Sequence, residues 1–131
     1  VYVTRLENDL VDLLEASIDG TLAGHELRWS AQSSVCVVMA SDGYPGSYEK
    51  GKVITGIADA DALPGVKVFH AGTKLNGENV VTSGGRVLCA TALGNSVREA
   101  QQGAYRLAEQ ISWNGCFYRK DIGYRAIARE S

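Results

Sequence analysis

The stretch 66–93 limits the possible folds more than any other part of this 131-residue chain. Apolar and polar residues alternate over 66–75, and a segment rich in β-branched and apolar residues runs over 80–93. Between them stand Asn76 and Gly77, residue types that adopt the left-handed conformations of a tight hairpin turn. The pattern therefore predicts a long antiparallel β-hairpin.

Two helices are predicted near the ends of the chain. Thr4-Arg5-Leu6-Glu7 has the form of a capping box, and apolar residues follow it at helical spacing as far as Gly20. This first stripe consists of Leu6, Leu10, Leu13, Leu14 and Ser17. A second capping box is Ser96-Val97-Arg98-Glu99. The stripe after it consists of Val97, Ala100, Ala104, Leu107, Ala108 and Ile111.

Three further strands are predicted from short runs of β-branched and aromatic residues, at 25–29, 34–41 and 53–55. The run at 34–41 is apolar enough that we expect it to be covered on both faces. The segment 42–51, rich in glycine and tyrosine, is predicted to be a loop. With a short terminal helix at 124–128, these elements predict one α+β unit, an antiparallel sheet with a helix near each end.

Composition excludes several classes of protein. The chain has 13 basic and 15 acidic residues, a formal net charge of −2, so nucleic-acid binding is not expected. The longest apolar run, 35–40, is far too short to cross a bilayer. Cys36, Cys89 and Cys116 are widely spaced and include no CxxC pair, which is typical of free thiols in a reducing compartment. We therefore expect a cytoplasmic protein that is not associated with a membrane.

Three candidate sites have little support in the residues around them. The segment 46–52 has the GxxxxGK spacing of a P-loop, but Val53 follows where a metal-binding Ser or Thr is needed. Lys74 lies near the hairpin turn, as the modified lysine of biotinyl and lipoyl carrier domains does, but it lacks their neighbouring residues. His70 and Ser83 are parts of a possible catalytic triad, but no GxSxG segment is present and a hydrogen-bonded structural histidine is more common.

The remaining candidate is an anion site on the hairpin. Gly84 and Gly85 precede Arg86 well away from the turn, and Lys74 lies on the other arm. Glycines let backbone N–H groups approach an anion, and an arginine fork with a lysine charge can hold a phosphate. The alternative is a glycine bulge with two solvated charges, and the pattern alone leaves both open.

Four stretches, taken together, are specific to one known family. They are RLENDLVDLLEASIDGTL, VVMASDGYPGSYEKGKVITG, VFHAGTKLNGENVVTSGGRVLCATALG and GCFYRKDIGYRAI. On these residues the chain resembles, over essentially its whole length, the C-terminal portion of the phosphoribosylamine–glycine ligase family. Because the chain begins at Val1 and its only methionine is Met39, it is also expected to be the tail of a longer protein.

The resemblance implies an ATP-grasp ligase of purine synthesis, which joins glycine to 5-phosphoribosylamine and yields glycinamide ribonucleotide, ADP and phosphate. It implies that ATP and Mg²⁺ or Mn²⁺ bind to N-terminal and ATP-grasp domains outside this chain. This chain would then hold no catalytic residue, no metal and no cofactor. Residues 1–22 would form a helix linking to the ATP-grasp core, and residues 23–131 the C-terminal domain, with a sheet of the reduced barrel-sandwich (rudiment single hybrid) type.

The resemblance also implies a substrate site. Lys74 and Arg86 stand at motif positions that reach the ribose phosphate in related purine ATP-grasp enzymes. Lys74, Gly84, Gly85 and Arg86 are accordingly predicted to bind the phosphate of 5-phosphoribosylamine, with the glycines bending the strand so that Arg86 faces the cleft.

Two other matching segments receive no role from the resemblance. For 43–45 and 119–121 we expect packing or interdomain contact. The alternative function for the whole chain is a non-catalytic interaction module or a carrier-like hairpin module.

Overall fold

The structure is a computed structural model that describes residues 1–130, and it confirms the α+β class with antiparallel sheets. The helices are α1 (Tyr2–Arg5), α2 (Leu10–Ile18), α3 (Ile57–Asp61), α4 (Val97–Glu109) and α5 (Tyr124–Ile127). The strands are β1 (Ser33–Ser41), β2 (Val66–His70), β3 (Thr73–Asn76), β4 (Asn79–Thr82), β5 (Arg86–Gly94) and β6 (Cys116–Phe117). Within the described residues, no helix has the length and apolar character needed to cross a membrane.

The predicted hairpin is confirmed, but each of its arms is interrupted. Strands β2 and β5 pair at its base within a larger sheet of order β2-β5-β1-β6, and β3 pairs with β4 at its tip as a separate sheet. The interruptions lie at 71–72 and 83–85. At the turn, Gly77 has the left-handed φ of +60° that the sequence predicted.

One face of the larger sheet packs against α4 and forms the core. The predicted start of this helix is confirmed, since the Ser96 hydroxyl accepts a hydrogen bond from the Glu99 N–H at 3.1 Å. The Glu99 carboxylate accepts from the Asn95 N–H at 2.9 Å and not from that of Ser96, so the capping box forms in part. The buried side of α4 consists of Ala100, Gly103, Ala104, Leu107 and Ala108. All of them except Leu107 are small, and the helix lies close to β5: a Cβ added to Gly103 would be only 2.9 Å from the Ala92 Cβ.

The prediction that β1 is covered on both faces is wrong. Val35, Val37 and Met39 point to α4 and are buried, but Val38 on the other face is 40% exposed and Cys36 is partly exposed. The helix covers only one side of the sheet. The second side is therefore available to hold the cavity described below.

The first of the predicted helices corresponds to α2, which starts later than predicted because residues 5–8 make other hydrogen bonds. The Glu7 N–H donates to the Arg28 carbonyl at 2.9 Å, and Leu6 forms a single β-bridge with Trp29. The helix begins at Leu10, where Asp9 accepts a hydrogen bond from the Val11 N–H at 2.8 Å.

Two consequences follow for the predicted N-terminal elements. The Thr4 hydroxyl bonds Val1 and Ser34 instead of capping a helix, and the strand predicted at 25–29 is reduced to the bridge at Trp29. Of the predicted apolar stripe on α2, only Leu13 is buried.

The strand predicted at 53–55 is reduced to two isolated bridges. Val53 pairs with Val81 of β4, and Thr55 pairs with Ser112 just after α4. The segment thus connects the smaller sheet to the end of the long helix. The terminal helix predicted at 124–128 is confirmed as α5.

Candidate functional site

The two arms of the hairpin cross in backbone contact where the two sheets meet. A Cβ on Gly72 would lie 2.6 Å from the Arg86 carbonyl oxygen and 2.7 Å from the Gly84 Cα. The N–H groups of Ser83 and Gly84 donate to the Gly72 carbonyl at 2.7 and 3.1 Å. Glycine is needed at this crossing because any side chain on Gly72 would collide with the opposite arm.

Gly85 is a glycine for a different reason, which involves the loop at 42–51. A Cβ on Gly85 would lie 2.2 Å from Tyr44 Cδ2 and 3.0 Å from Tyr48 Cε1. The Tyr44 ring therefore packs directly on the backbone of Gly85, which is buried. A side chain at this position would push the ring away.

A β-bulge sets the direction of Arg86. Met39 pairs with Leu88 and Ala40 pairs with Arg86, so Val87 is an extra residue on β5. Val87 is fully buried, whereas Arg86 is exposed. The bulge lies beyond the glycine pair and not within it, and it turns Arg86 out of the regular alternation of the strand.

Arg86 lines a cavity of about 450 Å³ on the face of the larger sheet opposite α4. The lining residues are Val38, Tyr44, Ala71, Gly72, Gly85, Arg86 and Cys89. None of them is acidic, and within residues 1–130 the Arg86 guanidinium makes no hydrogen bond or ion pair. The cavity therefore presents a positive charge without a counter-ion, which suits an anionic group.

Lys74 lies outside this set of lining residues. It is exposed on β3 opposite Val81, two residues beyond Gly72, which corresponds to about 7 Å along a strand. Its ammonium group also has no ion-pair partner in the described part of the chain. The structure thus places Gly85 and Arg86 at one cavity, while Gly84 is not among the lining residues and a joint site with Lys74 stays a prediction. Since the hairpin tip is at Gly77, Lys74 is not displayed there as a carrier lysine would be.

The other predicted candidates do not assemble into sites. Lys52 of the GxxxxGK segment forms an ion pair with Glu49 at 2.5 Å, and a β-bridge follows it where a P-loop needs a helix. His70 Nδ1 shares a hydrogen bond with the Thr73 hydroxyl at 2.9 Å, as a structural histidine does. Among residues 1–130, no three His, Cys, Asp or Glu side chains are grouped as metal ligands.

The RKDIG segment packs against α4. Arg119 and Asp121 form an ion pair at 2.7 Å. The Tyr105 hydroxyl donates to the Arg119 carbonyl at 2.7 Å and accepts from the Ile122 N–H at 3.0 Å. These contacts fix the C-terminal segment to the helix, which agrees with the packing role expected for 119–121.

Two cysteines are neighbours on the sheet face that carries the cavity. Cys36 pairs with Thr91 and Val38 pairs with Cys89, so the two thiols are diagonal neighbours across β1 and β5. Hydrogen bonds from the Cys89 thiol and the Thr91 hydroxyl lower the pKa of Cys36 to about 6. The pKa of Cys89 is raised, because its proton is held in the bond to Cys36 and a second negative charge beside the first is unfavourable.

We expect iodoacetamide at neutral pH to alkylate Cys36 before the other two cysteines. Its thiolate is the major form above about pH 6, whereas burial raises the pKa of Cys116 to about 11. Lowering the pH through 6 should slow the reaction because the Cys36 thiolate becomes protonated. Peptide mapping of the alkylated chain measures the order, and faster labelling of Cys116 would contradict it. A Cys89→Ala variant, which removes the main hydrogen-bond donor, should label more slowly at Cys36.

The family comparison bears directly on this arrangement. The family described as phosphoribosylglycinamide synthetase, C domain, matches residues 34–125 of this chain. The match includes more than half of the chain, and it contains the glycine crossing, the Tyr44 loop and Arg86. The chain belongs to the phosphoribosylglycinamide synthetase C-domain family.

Curated relatives of this C domain are much longer than the chain. It is 64% identical over 128 residues to phosphoribosylamine–glycine ligase of Pseudomonas aeruginosa, covering 98% of this chain and 30% of the relative. The ligase of the same name from Vibrio cholerae is 60% identical over 126 residues, covering 96% of this chain and 29% of the relative. The chain therefore spans about 30% of the length of these relatives.

A plant relative and a solved structure extend the same result. The chloroplastic phosphoribosylamine–glycine ligase of Arabidopsis thaliana is 52% identical over 132 residues, covering 99% of this chain and 25% of the relative. A crystal structure of phosphoribosylamine–glycine ligase from Thermotoga maritima aligns with a TM-score of 0.65 at 35% identity, covering 83% of this chain and 27% of that one. The C domain thus shares both its sequence and its fold with ligases of this name.

Sequence reasoning on the C domain missed Tyr44 as a residue of the cavity. The signal was present, because the GYPG segment was one of the stretches that matched the family. No pattern along the chain, however, places residue 44 against residue 85, and that contact is visible only in the folded protein.

Proposed function

We propose that this chain is the C-terminal part of a phosphoribosylamine–glycine ligase, an ATP-dependent enzyme that joins glycine to 5-phosphoribosylamine. The products would be glycinamide ribonucleotide, ADP and phosphate, in de novo purine synthesis. The names of the long relatives support this reaction, and the chain's high identity to their sequences supports a common role. Within the enzyme, this part would help to close the substrate site and would be inactive alone.

The observation that carries the proposal is the uncompensated charge of Arg86 in a cavity without acidic residues. An arginine fork holds a phosphate through two parallel charge-assisted hydrogen bonds, and a lysine adds a point charge. In the proposed role, Arg86 and Lys74 bind the phosphate of 5-phosphoribosylamine, and Gly84 and Gly85 let the backbone come close to it. Holding the phosphate here would leave the amine free to react at the site of glycine activation.

The remaining domains of the enzyme are the proposed partners. Residues 1–22 would link to the ATP-grasp core, and residues 23–131 would form the C-terminal domain. Leu10, Leu14 and Ile18 support this division, because they leave apolar surface of α2 exposed, at 44%, 55% and 85% respectively. Such surface is typical of a contact with another part of a protein.

Finer points of fold and location belong to the same proposal. The sheet would be of the reduced barrel-sandwich (rudiment single hybrid) type. In support, the segment 51–54 bonds along β4 and Thr55 bonds Ser112, which ties the smaller sheet to the end of the helix that covers the larger one. A cytoplasmic location, inferred from the cysteine pattern, completes it.

Residues 1–130 do not provide the groups that Mg-ATP needs. The only lysine at P-loop spacing, Lys52, is paired with Glu49, and no cluster of metal ligands forms among residues 1–130. In the proposed enzyme, ATP and Mg²⁺ or Mn²⁺ are therefore bound by the N-terminal and ATP-grasp domains, and no step of their chemistry is assigned to this chain.

We expect the full-length protein to form glycinamide ribonucleotide from glycine, ATP and 5-phosphoribosylamine, while the isolated 131-residue chain forms none. Calorimetric titration of the isolated chain with Mg-ATP should show no tight binding, because neither a P-loop nor a cluster of metal ligands forms among residues 1–130. A micromolar dissociation constant for the isolated chain, or a full-length protein that fails to turn over these substrates, would overturn the assignment.

A further inference from the structure

Tyr44 shares the Arg86 cavity and is held there by its contact with Gly85. Both residues line the cavity, and the ring occupies the space where a side chain at position 85 would be. Tyr44 is only partly buried, so one side of it remains open to the cavity. The Tyr44 ring therefore packs against Gly85 and also lines the cavity.

The loop that carries Tyr44 is fixed to the hairpin by hydrogen bonds. The Ser41 N–H donates to the Gly85 carbonyl at 2.8 Å, and the Ser41 hydroxyl donates to the Gly84 carbonyl at 3.2 Å. The Tyr44 N–H donates to the Ser41 carbonyl at 3.1 Å. Gly43 has a φ of +90°, and a Cβ there would lie 2.1 Å from the Ser47 carbonyl oxygen. The position of Tyr44 relative to Arg86 is therefore built into the fold.

Three hydrogen-bond donors of residues that line this cavity have no partner in the described part of the chain. They are the Tyr44 hydroxyl, the N–H of Gly85 and the guanidinium of Arg86. No carboxylate lines the cavity to accept from them. A phosphate monoester has several acceptor oxygens and a negative charge, which suits a cavity lined by unpaired donors and by no carboxylate.

We propose that Tyr44 is a substrate-binding residue whose hydroxyl donates to an oxygen of the phosphate held by Arg86. The ligand class is a pentose 5-phosphate. This inference rests on the proposed function, since it assigns one more donor to the same site. The contact of the ring with Gly85 is a separate packing role, and it does not require the hydroxyl.

The test compares Tyr44→Phe with Tyr48→Phe in the full-length ligase. Both changes remove one hydroxyl and keep a ring against Gly85, but Tyr48 does not line the cavity. Tyr44→Phe should raise the KM for 5-phosphoribosylamine roughly 10-fold or more, as expected for a lost bond to a charged group. The KM values for ATP and glycine, kcat and the melting temperature should stay unchanged, and Tyr48→Phe should change none of these quantities.

A binding measurement gives a second readout that does not depend on turnover. Ribose 5-phosphate, titrated into the full-length protein, should bind more weakly to Tyr44→Phe by the same factor. If Arg86→Ala weakens its binding and Tyr44→Phe does not, the Tyr44 inference is wrong while the proposed anion site survives. If neither variant weakens it, the anion site itself is wrong. A Tyr44→Phe protein that melts earlier and loses affinity for all substrates alike would show packing only, and would overturn the inference.

Discussion

Replacing Arg86 with alanine in the full-length protein should raise the KM for 5-phosphoribosylamine about 10- to 150-fold. The change would remove the proposed charge-assisted contact to the phosphate, and such a contact is worth about 1.5–3 kcal/mol. The KM values for ATP and glycine should stay nearly unchanged, because in the proposed enzyme those substrates bind outside this site. Stability should also change little, since Arg86 makes no hydrogen bond or ion pair within residues 1–130 whose loss would leave an unsatisfied group.

Two control variants separate the effect of the planar guanidinium of Arg86 on the KM from the effect of its positive charge. Arg86→Lys should recover only part of the affinity, because a point charge cannot make the two parallel hydrogen bonds of a guanidinium. Arg106→Ala removes the same charge from the exposed side of α4, on the other side of the sheet, and should leave all three KM values unchanged. An unchanged KM for 5-phosphoribosylamine in a well-folded Arg86→Ala protein would contradict the assignment.

The position of Lys74 makes its contribution a separate question. It lies on the smaller sheet, outside the lining of the cavity, so only a long side chain directed back along the ribbon would reach the same phosphate. If both residues hold one phosphate, the effects of Lys74→Ala and Arg86→Ala should not be additive. Additive effects in the double variant would indicate that the lysine acts elsewhere.

The elements that were predicted correctly are those specified by residues close together in the chain. Asn76 and Gly77 define the hairpin turn, and Ser96 with Glu99 defines the start of α4. In both cases the signal and the structure lie within a few residues, so no distant contact is needed to decide between alternatives. The alternation of the hairpin arms likewise reports directly on its two faces.

The predictions that were wrong are those in which distant residues compete with a local signal. Thr4 and Glu7 are spaced as a capping box, but the Glu7 N–H bonds the Arg28 carbonyl instead. Such a bond gives the backbone an alternative that local propensity does not include. The prediction that both faces of β1 are covered is a similar case. An apolar strand has the same sequence pattern whether one layer or two cover it, so the exposure of Val38 could not be predicted.

The candidate site lies between these two cases. The glycine pair and Arg86 were visible as an unusual feature of the hairpin, and the structure places Gly85 and Arg86 at one cavity. The reasons for the glycines were not visible. They depend on the contact of Gly84 with Gly72 and of Gly85 with Tyr44, which join segments far apart in the chain. A hairpin pattern predicts which residues pair across the two strands, but it does not predict which other segments pack on the faces of the hairpin.

Replacing Gly56 with alanine should cause the largest loss of stability that we expect from a single methyl group in this chain. Gly56 precedes α3 with a φ of +84°, and a Cβ there would lie 1.9 Å from the Gln110 carbonyl oxygen at the end of α4. The obstacle is backbone, and the hydrogen bonds between Thr55 and Ser112 hold the two segments together, so neither can move aside cheaply. Left-handed strain and the collision together should lower the free energy of unfolding by about 3 kcal/mol or more.

Gly51 is the matched control for this prediction, because it shares the backbone strain without the collision. Its φ is +80°, and a Cβ there would have no atom within 4 Å. Gly51→Ala should therefore cost only about 1–2 kcal/mol, the contribution of the left-handed conformation itself. Thermal unfolding followed by circular dichroism should show the melting temperature of Gly56→Ala falling well below that of Gly51→Ala. Equal losses in the two variants would mean that the contact between Gly56 and Gln110 does not contribute, and that α3 is not held against the end of α4 as the structure has it.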